Sequence, residues 1–264
     1  MNLEHICQQA CKITKEVGQF LRTELGKVDQ DKIEQKYLNN LVSYVDKASE
    51  EQLIKGLGEI LPEASFIAEE ETVAQEDKDW RWIIDPLDGT TNFLHQLPFF
   101  AISIGLQHKE KTVLGIVYEV NKDELFYSWE GAPAYLNGRT IGVTGTTDLK
   151  DALLATGFPY YDFDYVDAYL KMLKPLMLGT RGLRRIGSAA LDLVYVACGR
   201  FDGYFEYSLS PWDVTGGAFI AQQAGALVSD FSGGDDYIFG REIIAASPAI
   251  HKILVEMTKQ HFKS

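Results

Sequence analysis

The stretch Trp82-Ile83-Ile84-Asp85-Pro86-Leu87-Asp88-Gly89-Thr90-Thr91-Asn92 runs an apolar strand directly into an acidic turn. Asp85 sits where the strand ends, Pro86 fixes the bend, and Asp88 returns three residues later, so both carboxylates can converge on one point. Hard cations such as Mg²⁺ take oxygen ligands, backbone carbonyls like that of Leu87 included. Gly89 lets the backbone approach a ligand closely, and the N–H groups after it can face phosphate oxygens if Thr90–Asn92 opens a helix. Taken alone, D-P-x-D-G is also an ordinary turn, because Asp hydrogen-bonds nearby backbone. Two more acidic elements occur in matching settings: Phe66-Ile67-Ala68-Glu69-Glu70 at another strand end, and Ser210-Pro211-Trp212-Asp213 at a helix start.

Outward from this stretch the pattern is mixed. Leu3, Ile6, Cys7, Ala10, Ile13, Val17, Phe20, Leu21 and Leu25 follow helical spacing, with Gly26 placed to end the helix. A second periodic stretch from Val42 to Leu61 stops at Pro62, and the polar segment 27–40 between the two reads as a loop. Short strands are expected at 66–68, 82–84, 101–106, 114–119 and 124–128, and Asn137-Gly138 marks a hairpin within 134–141. Residues 142–150 are small and polar and form a candidate seam between lobes of about 1–145 and 146–264 in one domain, 1–264. Beyond the seam, strands at 153–157, 201–206, 227–230 and 243–246 alternate with helices near 165–177, 188–197, 214–224 and from 249 onward. Such an order predicts layered helices and sheets of α/β (α+β) class, not a TIM barrel.

The chain has 264 residues, 46% of them hydrophobic, enough for a sizeable core. With 38 acidic against 25 basic residues its net charge is -13, which argues against a nucleic-acid-binding surface. An anionic substrate would also be repelled unless cations or local donors reverse the potential at the site. Cys7, Cys11 and Cys198 fit reduced thiols in a cytoplasmic protein; Cys7, Cys11 and His5 fit an apolar helix stripe better than a metal cluster. The amino-terminal residues do not have the form of a signal peptide, and no run approaches the roughly 20 apolar residues of a membrane span. Neither a P-loop nor a dinucleotide fingerprint is present in the sequence.

The chain resembles the inositol monophosphatase family over most of its length. W-I-I-D-P-L-D-G-T-T-N-F at 82–93, followed by L-P-F-F-A-I-S-I-G at 97–105, looks like the family's first signature. P-W-D-V-T-G-G at 211–217, preceded by G-S-A-A at 187–190, looks like its second. The resemblance implies a five-layered αβαβα sandwich of the sugar phosphatase type, a homodimer, two to three Mg²⁺ ions and inhibition by lithium.

It also implies roles. Glu69, Asp85 and the Leu87 carbonyl resemble ligands of a first metal, and Asp85, Asp88 and Asp213 those of a second, with a third ion near Glu69. Gly89 and Thr90 match positions whose N–H groups hold phosphate, while Asp46 and Thr90 resemble the pair that orients the attacking water. Ser43-x-x-Asp46 reads equally as a capping box, which need not exclude that role. Ser188 and Ala189 stand where the family commonly has Thr-Ala. Glu206 matches a contact to the substrate alcohol, or is a surface strand residue. Lys36 sits near the family's loop lysine.

Glu70 and Glu71 read as solvated loop charges, Asp192 as a solvated helix charge, and the Arg181, Arg184, Arg185 cluster as structural or interfacial rather than phosphate-attracting. The expected activity is magnesium-dependent hydrolysis of a small phosphate monoester, most readily inositol monophosphate, by metal-activated water. Related phosphatases acting on fructose 1,6-bisphosphate, 3′-phosphoadenosine 5′-phosphate or NADP share that metal core. A protein-binding regulator is the reading from another class.

Overall fold

The computed structural model describes residues 1–28, 34–37, 40–73, 76–159 and 163–262; side chains of 34–37 and 40–41 lie outside that description. Helix α1 (Leu3–Glu24) starts where Asn2 accepts the His5 N–H at 3.1 Å, and ends before Gly26, whose φ of 77° breaks the helical turn. Its stripe of Ile6, Cys7, Ala10, Val17 and Leu21 is buried. Each large aliphatic side chain so buried contributes about 1.5–3 kcal/mol. The segment expected as a loop at 27–40 instead includes β1 (Glu34–Tyr37), which pairs antiparallel with β2 (Asn40–Val42). Val42 therefore ends a strand, and α2 (Tyr44–Ile60) begins only after the Ser43 cap.

Seven strands then form the first sheet, in the order of the chain: β3 (Ser65–Ala68), β4 (Trp80–Asp88), β5 (Ala101–His108), β6 (Lys111–Glu119), β7 (Glu124–Trp129), β8 (Tyr135–Leu136) and β9 (Arg139–Thr140). β3 and β4 run parallel and every later neighbour antiparallel. The short α3 (Thr90–Leu94) leaves the end of β4. Asn137 and Gly138, both at positive φ, make the tight turn between β8 and β9.

The second half carries β10 (Leu153–Thr156), α4 (Val166–Gly179), β11 (Gly182–Arg184), α5 (Ala189–Ala197), β12 (Gly203–Tyr207), α6 (Pro211–Gln223), β13 (Leu227–Ser229), β14 (Glu242–Ala246) and α7 (Pro248–His261). Its strands form a five-stranded sheet ordered β11-β10-β12-β14-β13. β11 was not anticipated, and α6 starts at Pro211, which puts Asp213 in its first turn.

The layers follow from which faces are apolar. α1 and α2 cover one face of the seven-stranded sheet, α5 and α6 lie between the two sheets, and α4 and α7 cover the far face of the second. This is the αβαβα order. α5 is apolar on all sides because both of its faces meet a sheet.

α6 comes unusually close to the first sheet through glycine. A Cβ on Gly115 would stand 2.5 Å from the Gly216 carbonyl oxygen, and one on Gly216 would stand 2.6 Å from the Ile104 carbonyl oxygen. Backbone lies against backbone, and the Ser103 hydroxyl bonds the Trp212 carbonyl at 3.2 Å. Gly115→Ala is expected to cost about 1–3 kcal/mol of stability, since neither backbone can retreat. Gly145→Ala, which meets nothing within 4 Å, should stay within about 0.5 kcal/mol of the parent. Urea unfolding midpoints of the two variants check both.

Candidate active site

Asp85 pairs with Ser103 across the sheet and Asp88 with Ala101, so three residues of β4 span two of β5. This β-bulge matters because residues three apart on a regular strand face opposite sides. The extra residue restores parity, and both aspartates face the α5–α6 layer while Leu87 joins the α1–α2 core. Asp213 arrives from the first turn of α6. One carboxylate oxygen of each of Asp85, Asp88 and Asp213 lies within 4.8 Å of the others.

Each aspartate is held. Asp85 Oδ1 accepts the Leu87 N–H at 2.9 Å. Asp88 Oδ2 accepts the Ser188 hydroxyl at 2.6 Å and the Ala190 N–H at 2.7 Å, and Asp213 Oδ2 accepts the Ser210 N–H at 2.7 Å. Burial, before any charge effect, raises all three carboxyls: Asp88 to about 6, Asp213 to about 7, and Asp85 well above the usual range. Repulsion from Glu69, Asp88 and Asp213 raises Asp85 further. Ala68 pairs with Ile84 in the parallel register, so Glu69, just past the end of β3, comes beside Asp85. Asp85 lies inside β4 and not at its end as the sequence suggests, because β4 runs on through the bulge to Asp88. Glu69 is half-buried and stands outside the 4.8 Å grouping.

Asp46 serves its helix and the site at once. Its Oδ2 accepts the Ser43 N–H at 2.9 Å and the Ser43 hydroxyl at 2.8 Å, closing the capping box, while its Oδ1 takes the Thr90 hydroxyl at 2.9 Å. Thr90 Oγ1 is also 3.0 Å from the Leu87 carbonyl, and its one proton can serve only one acceptor fully. Burial pushes Asp46 upward despite these donors. Gly89 has φ 94°, and a Cβ there would stand 2.8 Å from the Phe99 carbonyl oxygen, so no side chain fits. Asn92, which the sequence did not mark, ties α3 to the segment before α5, its amide donating to the Phe99 carbonyl at 2.7 Å and the Ile186 carbonyl at 2.8 Å.

The sequence model of the inositol monophosphatase family matches residues 2–263. The chain belongs to the inositol monophosphatase family. Nus factor SuhB of Vibrio cholerae is 39% identical over 256 residues, 97% of this chain and 96% of that protein. The extragenic suppressor protein suhB of Bartonella henselae superposes with a TM-score of 0.91 at 36% identity, covering 98% of this chain and 99% of that one. The inositol monophosphatase from Anabaena gives 0.87 at 35% identity, covering 99% and 98%. As a member of this family the chain is a phosphatase that hydrolyses phosphate monoesters.

Around the triad of this phosphatase, Ser188 caps α5: its hydroxyl accepts the Leu191 N–H at 3.3 Å while donating to Asp88, and Ala189 is the first helical residue. Glu206 is buried, not a surface strand residue, and its Oε2 accepts the Tyr204 hydroxyl at 2.7 Å. Burial raises it to about 8. Its carboxylate occupies the space where a side chain on residue 157 would be, so a residue larger than Gly157 would have to displace it. Asp192 is 1% exposed, which overturns its reading as a solvated helix charge. Burial first, then repulsion from Glu206 and Asp88, raises it. Of the arginines, Arg181 pairs with Asp151 at 3.4 Å on the surface, and Arg184 donates to its neighbour's carbonyl. Arg185 lies over the Phe158 ring, and its charge lowers Asp88, Glu206 and Asp192. Glu71 is exposed as expected, whereas Glu70 is half-buried. Lys36 belongs to β1, and its side chain is outside the described residues.

The raised carboxyls fix a sign. The folded, metal-free chain retains protons on Asp88 and Asp213 at pH values where the unfolded chain, with groups near 3.8, has released them. Their contribution is fully present below about pH 4 and is lost as pH rises through the folded values. The metal-free melting temperature should therefore fall between pH 5 and 8; calorimetric scans across that range check this.

Proposed function

We propose that the chain is a magnesium-dependent phosphatase whose preferred substrate is inositol monophosphate, a small phosphorylated polyol. The observation that carries the metal requirement is the convergence of Asp85, Asp88 and Asp213, an oxygen-only set of like charges of which Asp85 and Asp88 are buried and Asp213 half-buried. Buried anions are tolerable when paired or coordinated, and oxygen donors without thiolate or imidazole select hard cations. The donors present thus fit Mg²⁺. Glu69, Asp85 and the Leu87 carbonyl would hold one ion, and Asp85, Asp88 and Asp213 a second. A third, more weakly held, would sit by Glu69.

When bound, the ions supply Lewis acidity toward water and toward the phosphoryl and leaving oxygens. The protein's own groups do the rest. Thr90 and Asp46, hydrogen-bonded to each other, orient the attacking water, with Asp46 taking its proton. The N–H groups of Gly89 and Thr90 hold the phosphate, which Ser188 and Ala189 flank at the α5 start. Glu206, pinned by Tyr204, accepts hydrogen bonds from substrate hydroxyls, which favours a polyol over fructose 1,6-bisphosphate, 3′-phosphoadenosine 5′-phosphate or NADP. Lys36 is kept as a possible loop contact. Lithium sensitivity and a cytoplasmic homodimer complete the reading. Free Cys7, Cys11 and Cys198 fit a reducing compartment, and exposed Leu170, Met177 and Leu178 on α4 give a second copy apolar surface to cover. Among the described residues no helix is long and apolar enough to cross a membrane. The single domain, 1–264, is supported by the α5–α6 layer that both sheets share. The name Nus factor borne by the Vibrio relative supports a second, compatible role as a protein-binding regulator.

Two single variants test the reading. Asp88→Asn should lower turnover of inositol monophosphate by about 100-fold or more while leaving the metal-free melting temperature equal or higher and shrinking the rise on adding Mg²⁺. Near-normal turnover with an unchanged Mg²⁺ shift would remove Asp88 from the metal site. Glu206→Ala should reduce kcat/KM for inositol monophosphate more than for an aryl phosphate lacking hydroxyls. Equal losses on both substrates would take Glu206 out of the substrate site.

A further inference from the structure

Glu50 lies one helical turn beyond Asp46 on α2, and its side chain is completely buried. Its carboxylate gathers three donors from the loop after β3. Oε2 accepts the Glu70 N–H at 2.7 Å, and Oε1 accepts both the Thr72 N–H at 2.9 Å and the Thr72 hydroxyl at 2.7 Å. Between the two anchored residues stands Glu71 at φ 52°, a left-handed conformation that non-glycine residues keep only when their surroundings enforce it. The loop is therefore clamped on both sides of a strained residue by one side chain.

What the clamp holds in place is Glu69. On its amino-terminal side Glu69 is fixed by the β3–β4 pairing that ends at Ala68, and on its carboxyl side by the Glu70 N–H on Glu50. Its charge presses on Asp85, so repulsion favours swinging the loop away from the triad. We propose that Glu50 is a positioning residue: it fixes the 69–72 loop so that Glu69 stays beside Asp85 when the site takes up its cation. The proposal rests on the metal reading above and adds to it a residue that touches neither substrate nor ion. One helix then sets both halves of the chemistry, with Asp46 reaching Thr90 and, a turn later, Glu50 reaching the loop of Glu69.

Glu50→Gln keeps the shape but turns one acceptor oxygen into an amide that faces an N–H donor. Thr72→Val removes the hydroxyl donor at an exposed position and keeps the N–H donor. Mg²⁺ is titrated calorimetrically into both variants, the parent and Glu69→Gln without substrate, and turnover is followed against Mg²⁺ concentration. Groups that orient metal ligands typically change affinity by about 10-fold to 100-fold, so Glu50→Gln should raise the Mg²⁺ dissociation constant by at least about 10-fold. The half-saturating Mg²⁺ for turnover should move in parallel, and kcat at saturating Mg²⁺ should return close to the parent. Thr72→Val should shift both in the same direction by less, and it decides the matter alone if Glu50→Gln does not fold. A lower melting temperature with an unchanged Mg²⁺ dissociation constant would overturn the proposal, leaving Glu50 a stabilising contact only. A parent that binds no Mg²⁺, or a Glu69→Gln that binds it normally, would instead overturn the metal reading beneath it.

Discussion

Three carboxylates within reach of one another, Asp85 and Asp88 buried and Asp213 half-buried, repel, and much of the architecture around them answers that repulsion. Each is fixed by a donor from a different local device: an Asx turn for Asp85, the start of α5 for Asp88, and the α6 capping box for Asp213. No single element could bring them together, since they come from a strand, its bulge and a helix more than a hundred residues later in the chain. The electrostatic cost is stored in the fold, and a cation bound among the three would relieve it. A surface cluster of the same composition would be screened by solvent and would hold nothing in place.

The five-layer arrangement provides the rigidity this needs. α5 and α6 are squeezed between two sheets, so the groups at their amino-terminal ends cannot move independently of either. The glycines at 115 and 216 bring α6 close enough for Asp213 to reach the edge of β4. On the opposite side of the same sheet α2 supplies Asp46. The site thus sits at the carboxyl ends of the parallel pair β3 and β4, where ligands of α/β sheets characteristically lie.

Much of this was legible in the chain. The motif at 82–93 showed its acidic turn because strand hydrophobicity, proline and two aspartates fall within a few residues, and the family likeness extended that to distant Asp213 and Asp46. Other features were hidden for physical reasons. Strand β1 is polar but for Tyr37, and in β2 Leu41 and Val42 stand side by side without alternation, so their pairing is invisible in composition. Strand β11 has three residues, too few for a period to register. Asp192 was misread because a charge on a helix is ordinarily solvated. Yet Leu191, Leu193, Val194 and Val196 around it are apolar on every side, which is the pattern of a helix with no solvent face. Glu50 sits beside Glu51 among other charges of α2, and only the folded loop distinguishes the buried carboxylate from its exposed neighbour.

The bulge in β4 separates what may vary from what may not. Leu87 contributes its carbonyl and an apolar side chain to a tolerant core, so other aliphatic residues could stand there without disturbing the geometry. The number of residues between Asp85 and Asp88 has no such freedom. With the bulge kept, removing or adding one residue would reverse the side to which Asp88 points. The segment therefore tolerates spelling changes in places and no change of length at all. Its constraint is one of counting, imposed by the two-residue repeat of a β-strand rather than by the chemistry of any side chain between the two acids.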